Sequence, residues 1–190
     1  MSHADRTDRL FFALLPPAEV LADLDELALG LGREHGWSGA PLGPARYHVT
    51  LFFVGDFAGL SDARLAALAA AAESVLPAPA LPLSFDRLAS LGPPGARRPA
   101  VLLSSDVLAA AREFQQRLAA AVKQRGLPGE ERPWLPHLTL YRAVPEVVEQ
   151  ALPPLGWTAT ELVLQRSLIG RGRHETLARW PLLQGEASHD

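Results

Sequence analysis

The 190-residue chain contains no cysteine. That excludes disulfides, thiol nucleophiles and thiolate-bound metals. Lysine is almost missing too: of 18 basic residues only Lys123 is a lysine. The many alanines point to a compositional bias of the source genome as the ordinary cause of most of the arginines; a bidentate grip on phosphate is the functional alternative. No basic excess exists. A net charge of −3 and a pI near 6.1 exclude a general polyanion binder but leave room for a local basic pocket. No uninterrupted apolar run reaches membrane-spanning length. The first residues, Met1 to Arg6, lack the apolar segment of a signal peptide. The expectation is a cytoplasmic, soluble monomer with no membrane association and no obligate protein partner. At 48% hydrophobic residues the chain has ample material for a core. Its length fits a single domain over residues 1–190, or two packed lobes. Ragged termini are expected at 1–6 and 185–190.

What is present is a repeated tetrapeptide. His48-Val49-Thr50-Leu51 and His137-Leu138-Thr139-Leu140 each lie in an apolar, strand-like run. A strand sends alternate residues to one face. His48 and Thr50 therefore share a surface, with Val49 and Leu51 anchored behind, and the second copy behaves alike. Two such strands meeting would line a cleft with two imidazoles and two hydroxyls. That set supplies a proton acceptor, a proton donor and neutral donors for an anion. With six His in the chain, composition predicts only about 0.2 His-x-Thr by chance. A third copy, His174-Glu175-Thr176-Leu177, has a glutamate on its reverse face and reads as a terminal or edge strand with incidental similarity.

Pattern and punctuation give the elements. Leu10 to Leu15 reads as a buried strand stopped by Pro16-Pro17, and Ala18 to about Arg33 as an amphipathic helix. Arg46 to Val54 is the first motif strand, closed by Gly55-Asp56. Ser61 to Leu76 is helical. Leu83 to Leu91 and Ala100 to Ser104 are strands. Asp106 is expected to cap a helix running to Arg125. After the second motif strand come a short helix from Pro145 and two strands near Thr160 to Ile169 and Glu175 to Trp180. The motifs lie about half the chain apart, which an internal duplication with pseudo-twofold symmetry explains.

With these residues in view, the chain resembles the 2H phosphoesterases, and among them the bacterial RNA 2',3'-cyclic phosphodiesterases, also called 2'-5' RNA ligases. The similarity starts at Arg9-Leu10-Phe11-Phe12-Ala13-Leu14-Leu15-Pro16 and runs through both motifs. It includes Pro136 and Tyr141-Arg142 around the second, and ends at Leu177-Ala178-Arg179-Trp180-Pro181-Leu182. Two positions depart from the family: His174 stands near where it commonly has a tyrosine, and Tyr141 where it has a small residue. The resemblance implies an α+β fold. Two pseudo-symmetric lobes of antiparallel sheet, flanked by helices, would enclose a central cleft. It implies hydrolysis of 2',3'-cyclic phosphates on RNA ends or nucleotides to a 2'-phosphate. The reverse reaction, an ATP-independent 2'-5' ligation, comes with it.

His48 and His137 are the expected acid/base pair, with the acid role given to His48 and the base role to His137. Thr50 and Thr139 are the expected phosphate-oxygen donors. The resemblance adds Arg142, although regular alternation points it away from His137. Tyr47 and Phe11 read as core rather than as base-stacking groups, and Arg46, Arg132 and Arg173 as surface charge. No cofactor and no metal ligand are expected, because no His-Glu-x-x-His, carboxylate cluster or phosphate-binding glycine loop is visible. The rivals are a non-catalytic module that binds nucleotides or RNA ends, and a histidine-based metal hydrolase.

Overall fold

A computed structural model describes residues 7–95 and 97–183. The expected ragged termini, 1–6 and 185–190, lie outside the described residues. The elements are β1 (Asp8–Leu14), α1 (Ala18–Glu34), β2 (Val49–Phe57), α2 (Asp62–Glu73), β3 (Leu81–Ser90) and β4 (Arg98–Leu103). Then come α3 (Ala109–Gln124), β5 (His137–Val144), β6 (Gln150–Ala159), β7 (Glu161–Leu168) and β8 (Arg173–Pro181). A 3-10 turn, Pro44–Arg46, leads into β2.

The strands form one open antiparallel sheet in the order β6-β3-β4-β5-β2-β1-β7-β8. The order reads as two halves of four strands. In each half a strand, a helix and a motif strand follow one another: β1–α1–β2 in one, β4–α3–β5 in the other. The halves join at a single register pair, Val49↔Leu138. These are the middle residues of the two His-x-Thr motifs, so the pseudo-twofold axis passes between them.

One face of the sheet carries the main core. Leu10, Phe12, Leu14, Val49, Leu51, Leu138 and Leu140 pack with Leu24 and Ala28 of α1, Leu68 of α2, and Phe114 and Leu118 of α3. Burying each such leucine or phenylalanine contributes about 1.5–3 kcal/mol. The opposite face has only two small clusters among the described residues, Phe11/Ala13/Val163 and Ala89/Val101/Leu103. The cleft opens there.

Two expected features differ. No helix follows Pro145. Val147 N–H is bonded to Ser90 Oγ at 2.9 Å, and Glu146 and Glu149 are tied to Arg98 and Arg87. The segment is thereby laid against β3 and β4 and leads into β6. Pro153 and Pro154 disguise that strand, but β6 pairs only with β3, and an edge tolerates missing N–H groups. Asp106 does not cap α3 either. Ser105 N–H is held by Asp86 Oδ1 at 2.8 Å, and Leu108, with φ 50°, takes the cap position without a side-chain bond.

Candidate active site

The pairing Val49↔Leu138 does more than join the halves. In an antiparallel register it sets His48 across from Thr139 and Thr50 across from His137. Val49 and Leu138 are fully buried beneath. His48, Thr50, His137, Thr139 and Arg142 all line one cavity of about 620 Å³. The structure thus brings together every residue expected from the sequence.

Arg142 reaches this face because β5 is not regular. Ala100 faces Tyr141 while the next residue of β4, Val101, faces Thr139, so Leu140 is an extra residue. This β-bulge turns both Leu140 and Tyr141 toward the core and returns Arg142 to the face of Thr139. The first motif has the same bulge. Phe12 faces Phe52 and Ala13 faces Thr50, which leaves Leu51 over and returns Phe53 to the cleft. Tyr141, the departure from the family pattern, is therefore core: it is 4% exposed, with its hydroxyl donating to Ala28 O at 3.2 Å and its ring against Trp37. Tyr47 is buried in the main core, as expected; Phe11 is buried too, but on the cleft face, where it lines the cavity with its ring 4.9 Å from that of His48.

Both motif histidines are oriented alike. His48 Nδ1 donates to Arg46 O at 2.8 Å, and His137 Nδ1 donates to Leu135 O at 2.9 Å. A carbonyl only accepts, so it fixes the tautomer with the proton on Nδ1. Among the described residues Nε2 of each ring has no hydrogen-bond partner and is free to exchange a proton. Burial pushes His48 down to about 4, with the charges of His137, Arg46 and Arg142 acting in the same direction against the Arg46 carbonyl. Burial also lowers His137, but no cation contributes there.

β8 is an edge strand, as expected, but it brings His174 into the site. Its ring lies 5.2 Å from that of His48 and 5.5 Å from Phe11, and it lines the same cavity. Burial, with the charges of His48, Arg46 and Arg142, lowers it to about 4. The glutamate in its motif faces away, to Arg166 and Arg173. Its place depends on β8 lying beside β7, which a single strand's pattern does not show. Arg132 and Arg173 are largely exposed and paired, as expected of surface charge, whereas Arg46 is half-buried and has no ion pair among the described residues. No group of three or more His, Cys, Asp or Glu among the described residues is placed to hold a metal ion.

Residues 16–170 match the family model of the 2'-5' RNA ligase superfamily. The chain belongs to this superfamily. Among curated proteins it is 28% identical over 189 residues to the RNA 2',3'-cyclic phosphodiesterase of Escherichia coli strain K12, covering 93% of this chain and 97% of the relative. Among solved structures it resembles E. coli LigT in apo form, with a TM-score of 0.73 at 27% identity, covering 94% of this chain and 99% of that one. The E. coli LigT complex with 3'-AMP gives 0.72 at 27% identity over the same shares. TT0787 of Thermus thermophilus, at 23% identity, shares the fold with a TM-score of 0.66 over 92% of this chain and 97% of its own. Superfamily membership and the open antiparallel sheet with three helices agree with the fold expected from the resemblance.

Proposed function

We propose that this superfamily member hydrolyses 2',3'-cyclic phosphates at RNA ends or on nucleotides, leaving a 2'-phosphate. The observation that carries it is the pairing of the two His-x-Thr motifs about Val49 and Leu138, which puts around one cavity two Nε2 atoms and two hydroxyls without hydrogen-bond partners among the described residues. His137 Nε2 takes a proton from water as the water oxygen bonds to phosphorus. The P–O3' bond breaks on the opposite side, and His48 Nε2–H protonates O3'. Thr50, Thr139 and Arg142 hold the non-bridging oxygens as charge builds. His48 suits the acid role because Arg46 and Arg142 make its protonated form the stronger donor, while His137 has no such neighbour. With a ribose 5'-hydroxyl in place of water, the same steps give a 2'-5' linkage without ATP. The described residues act as one bilobal unit, and an RNA-end substrate puts the activity in the cytoplasm. No described helix is long and apolar enough to cross a membrane.

Incubation with an oligonucleotide ending in a 2',3'-cyclic phosphate, followed by phosphorus NMR, tests this reading. The expected product is a 2'-phosphate. A 3'-phosphate would reverse the leaving oxygen and keep the site, whereas tight binding without turnover would favour the non-catalytic module. Activity is expected to persist in excess chelator, because imidazoles, hydroxyls and a guanidinium supply every step. Loss restored by one divalent ion would point to the metal hydrolase instead.

A pH dependence also follows. The free enzyme holds His48 neutral at pH 7, since its folded value of about 4 lies below the ordinary 6.5. The charged groups facing it are His137, His174, Arg46 and Arg142. Arg9 and Glu130 also line the cavity, each tied to its own partner, Asp56 and Arg132. The protonated acid becomes scarcer as pH rises, so kcat/KM should decline steadily from about pH 6 to pH 8. The decline in kcat should lie at higher pH, because bound phosphate favours the imidazolium. A kcat/KM maximum above pH 7 would contradict the assignment.

A further inference from the structure

The two motifs are pseudo-symmetric, but the residues beyond them are not. Two residues before His48 stands Arg46; two before His137 stands Leu135. Five after His48 stands Phe53; five after His137 stands Arg142. The strands run antiparallel about Val49↔Leu138 and each is bulged just after its motif threonine; on one side of this pair the charge of Arg142 acts on Arg46, and on the other Leu135 and Phe53 line one cavity. The cleft therefore has a cationic end beside His48 and an apolar end beside His137. Phe53, Leu135, Trp134 and Leu91 line the apolar end.

At the cationic end a second cavity, of about 210 Å³, continues past His48 and His174, which line both cavities. Arg46 lines it. The Nε and Nη2 atoms of Arg46 are buried without a hydrogen-bond partner. Its charge also faces that of Arg142, and burial and this repulsion together push its proton affinity down. Unpartnered buried N–H groups are rare and costly. Besides the two histidines, the polar side chains Gln165 and Arg179 of this cavity are already engaged. Gln165 donates to Thr176 Oγ1 at 2.7 Å, and Arg179 is held by Glu161 at 2.7 Å. Arg46 lines this cavity without a counterion among the described residues, which leaves its positive charge available to an anion there.

We propose that this cavity is a second phosphate subsite, in which Arg46 takes the 5'-phosphate of the nucleotide whose 2',3'-cyclic phosphate reacts. The inference rests on the proposed function for its orientation. Expulsion of O3' toward His48 puts the ribose on the His48 side, and C5' then leads away from the reacting phosphorus toward Arg46. In an RNA chain that phosphate is the link to the preceding nucleotide. The subsite thus selects RNA ends, and 5'-phosphorylated nucleotides, over simple nucleoside cyclic phosphates.

The experiment compares adenosine 2',3'-cyclic phosphate with its 5'-phosphorylated form on the full chain. The wild type is expected to favour the 5'-phosphorylated substrate about 10–100-fold in kcat/KM, the range of a charge-assisted contact. Arg46→Gln should bring the ratio near one, and Arg46→Lys should keep part of it. Calorimetry with adenosine 2',5'-bisphosphate against adenosine 2'-phosphate makes the same comparison without turnover. If neither cyclic substrate reacts, the hydrolytic reading fails, and the bisphosphate preference still decides the subsite. A wild-type ratio near one, or a preference that survives Arg46→Gln, overturns the proposal.

Discussion

Replacing either motif histidine by alanine is expected to lower kcat/KM about 10²–10⁴-fold, the usual loss of a general acid or base. The expectation comes from orientation as much as from residue type. Each ring is pinned through Nδ1 to the carbonyl two residues back, which presents the same free atom, Nε2, from both sides of the pseudo-twofold axis. The fold should survive. Both rings are only half-buried, and the packing beneath them belongs to Val49 and Leu138. Thermal unfolding and circular dichroism check that point, and steady-state kinetics check the loss. His174→Ala is the control. Its ring touches His48, so the pH profile should shift, but no step of the reaction runs through it, and the rate should fall far less. A near-normal rate for His48→Ala or His137→Ala would remove that residue from the mechanism.

Arg142→Gln is expected to cost about 10²–10³-fold in kcat, comparable with losing one donor to a developing oxyanion. Arg142 has no ion pair among the described residues and lines the cavity with both histidines and both threonines. Its cation is therefore available to a phosphoryl oxygen. The same charge depresses His48 and His174. Arg142→Gln should therefore also move the acid's titration upward, a change that loss of packing alone would not produce. Arg142→Lys should recover only part of the rate, since an ammonium lacks the planar fork. A variant with full kcat and an unmoved pH profile would show that Arg142 belongs to the surface.

The bulge that places Arg142 marks where the sequence stops being legible. Alternation within His-x-Thr was enough to pair His48 with Thr50 and His137 with Thr139, because strand geometry is local. Counting on from His137 sends Arg142 to the wrong face. The register shift at Leu140 arises from pairing with β4, and no pattern within β5 reveals it. The inward positions Leu155, Trp157 and Ala159 alternate as a strand should, yet two prolines hide β6, since only the sheet order shows that it is an edge.

The sequence by itself determined the two motifs, the helices and strands that carry them, the absence of thiol chemistry and the histidine pair proposed as acid and base. These depend on residue type and on periods of two and 3.6, which neighbours along the chain express. Tertiary structure alone decided which residues surround the pair. His174 enters because β8 lies beside β7, and the charge of Arg142 reaches Arg46 because β2 and β5 are neighbours in the sheet. Tyr141 leaves the cleft because a bulge turns it against α1. Each of these is a contact between segments distant in the chain, set by register and packing rather than by local preference.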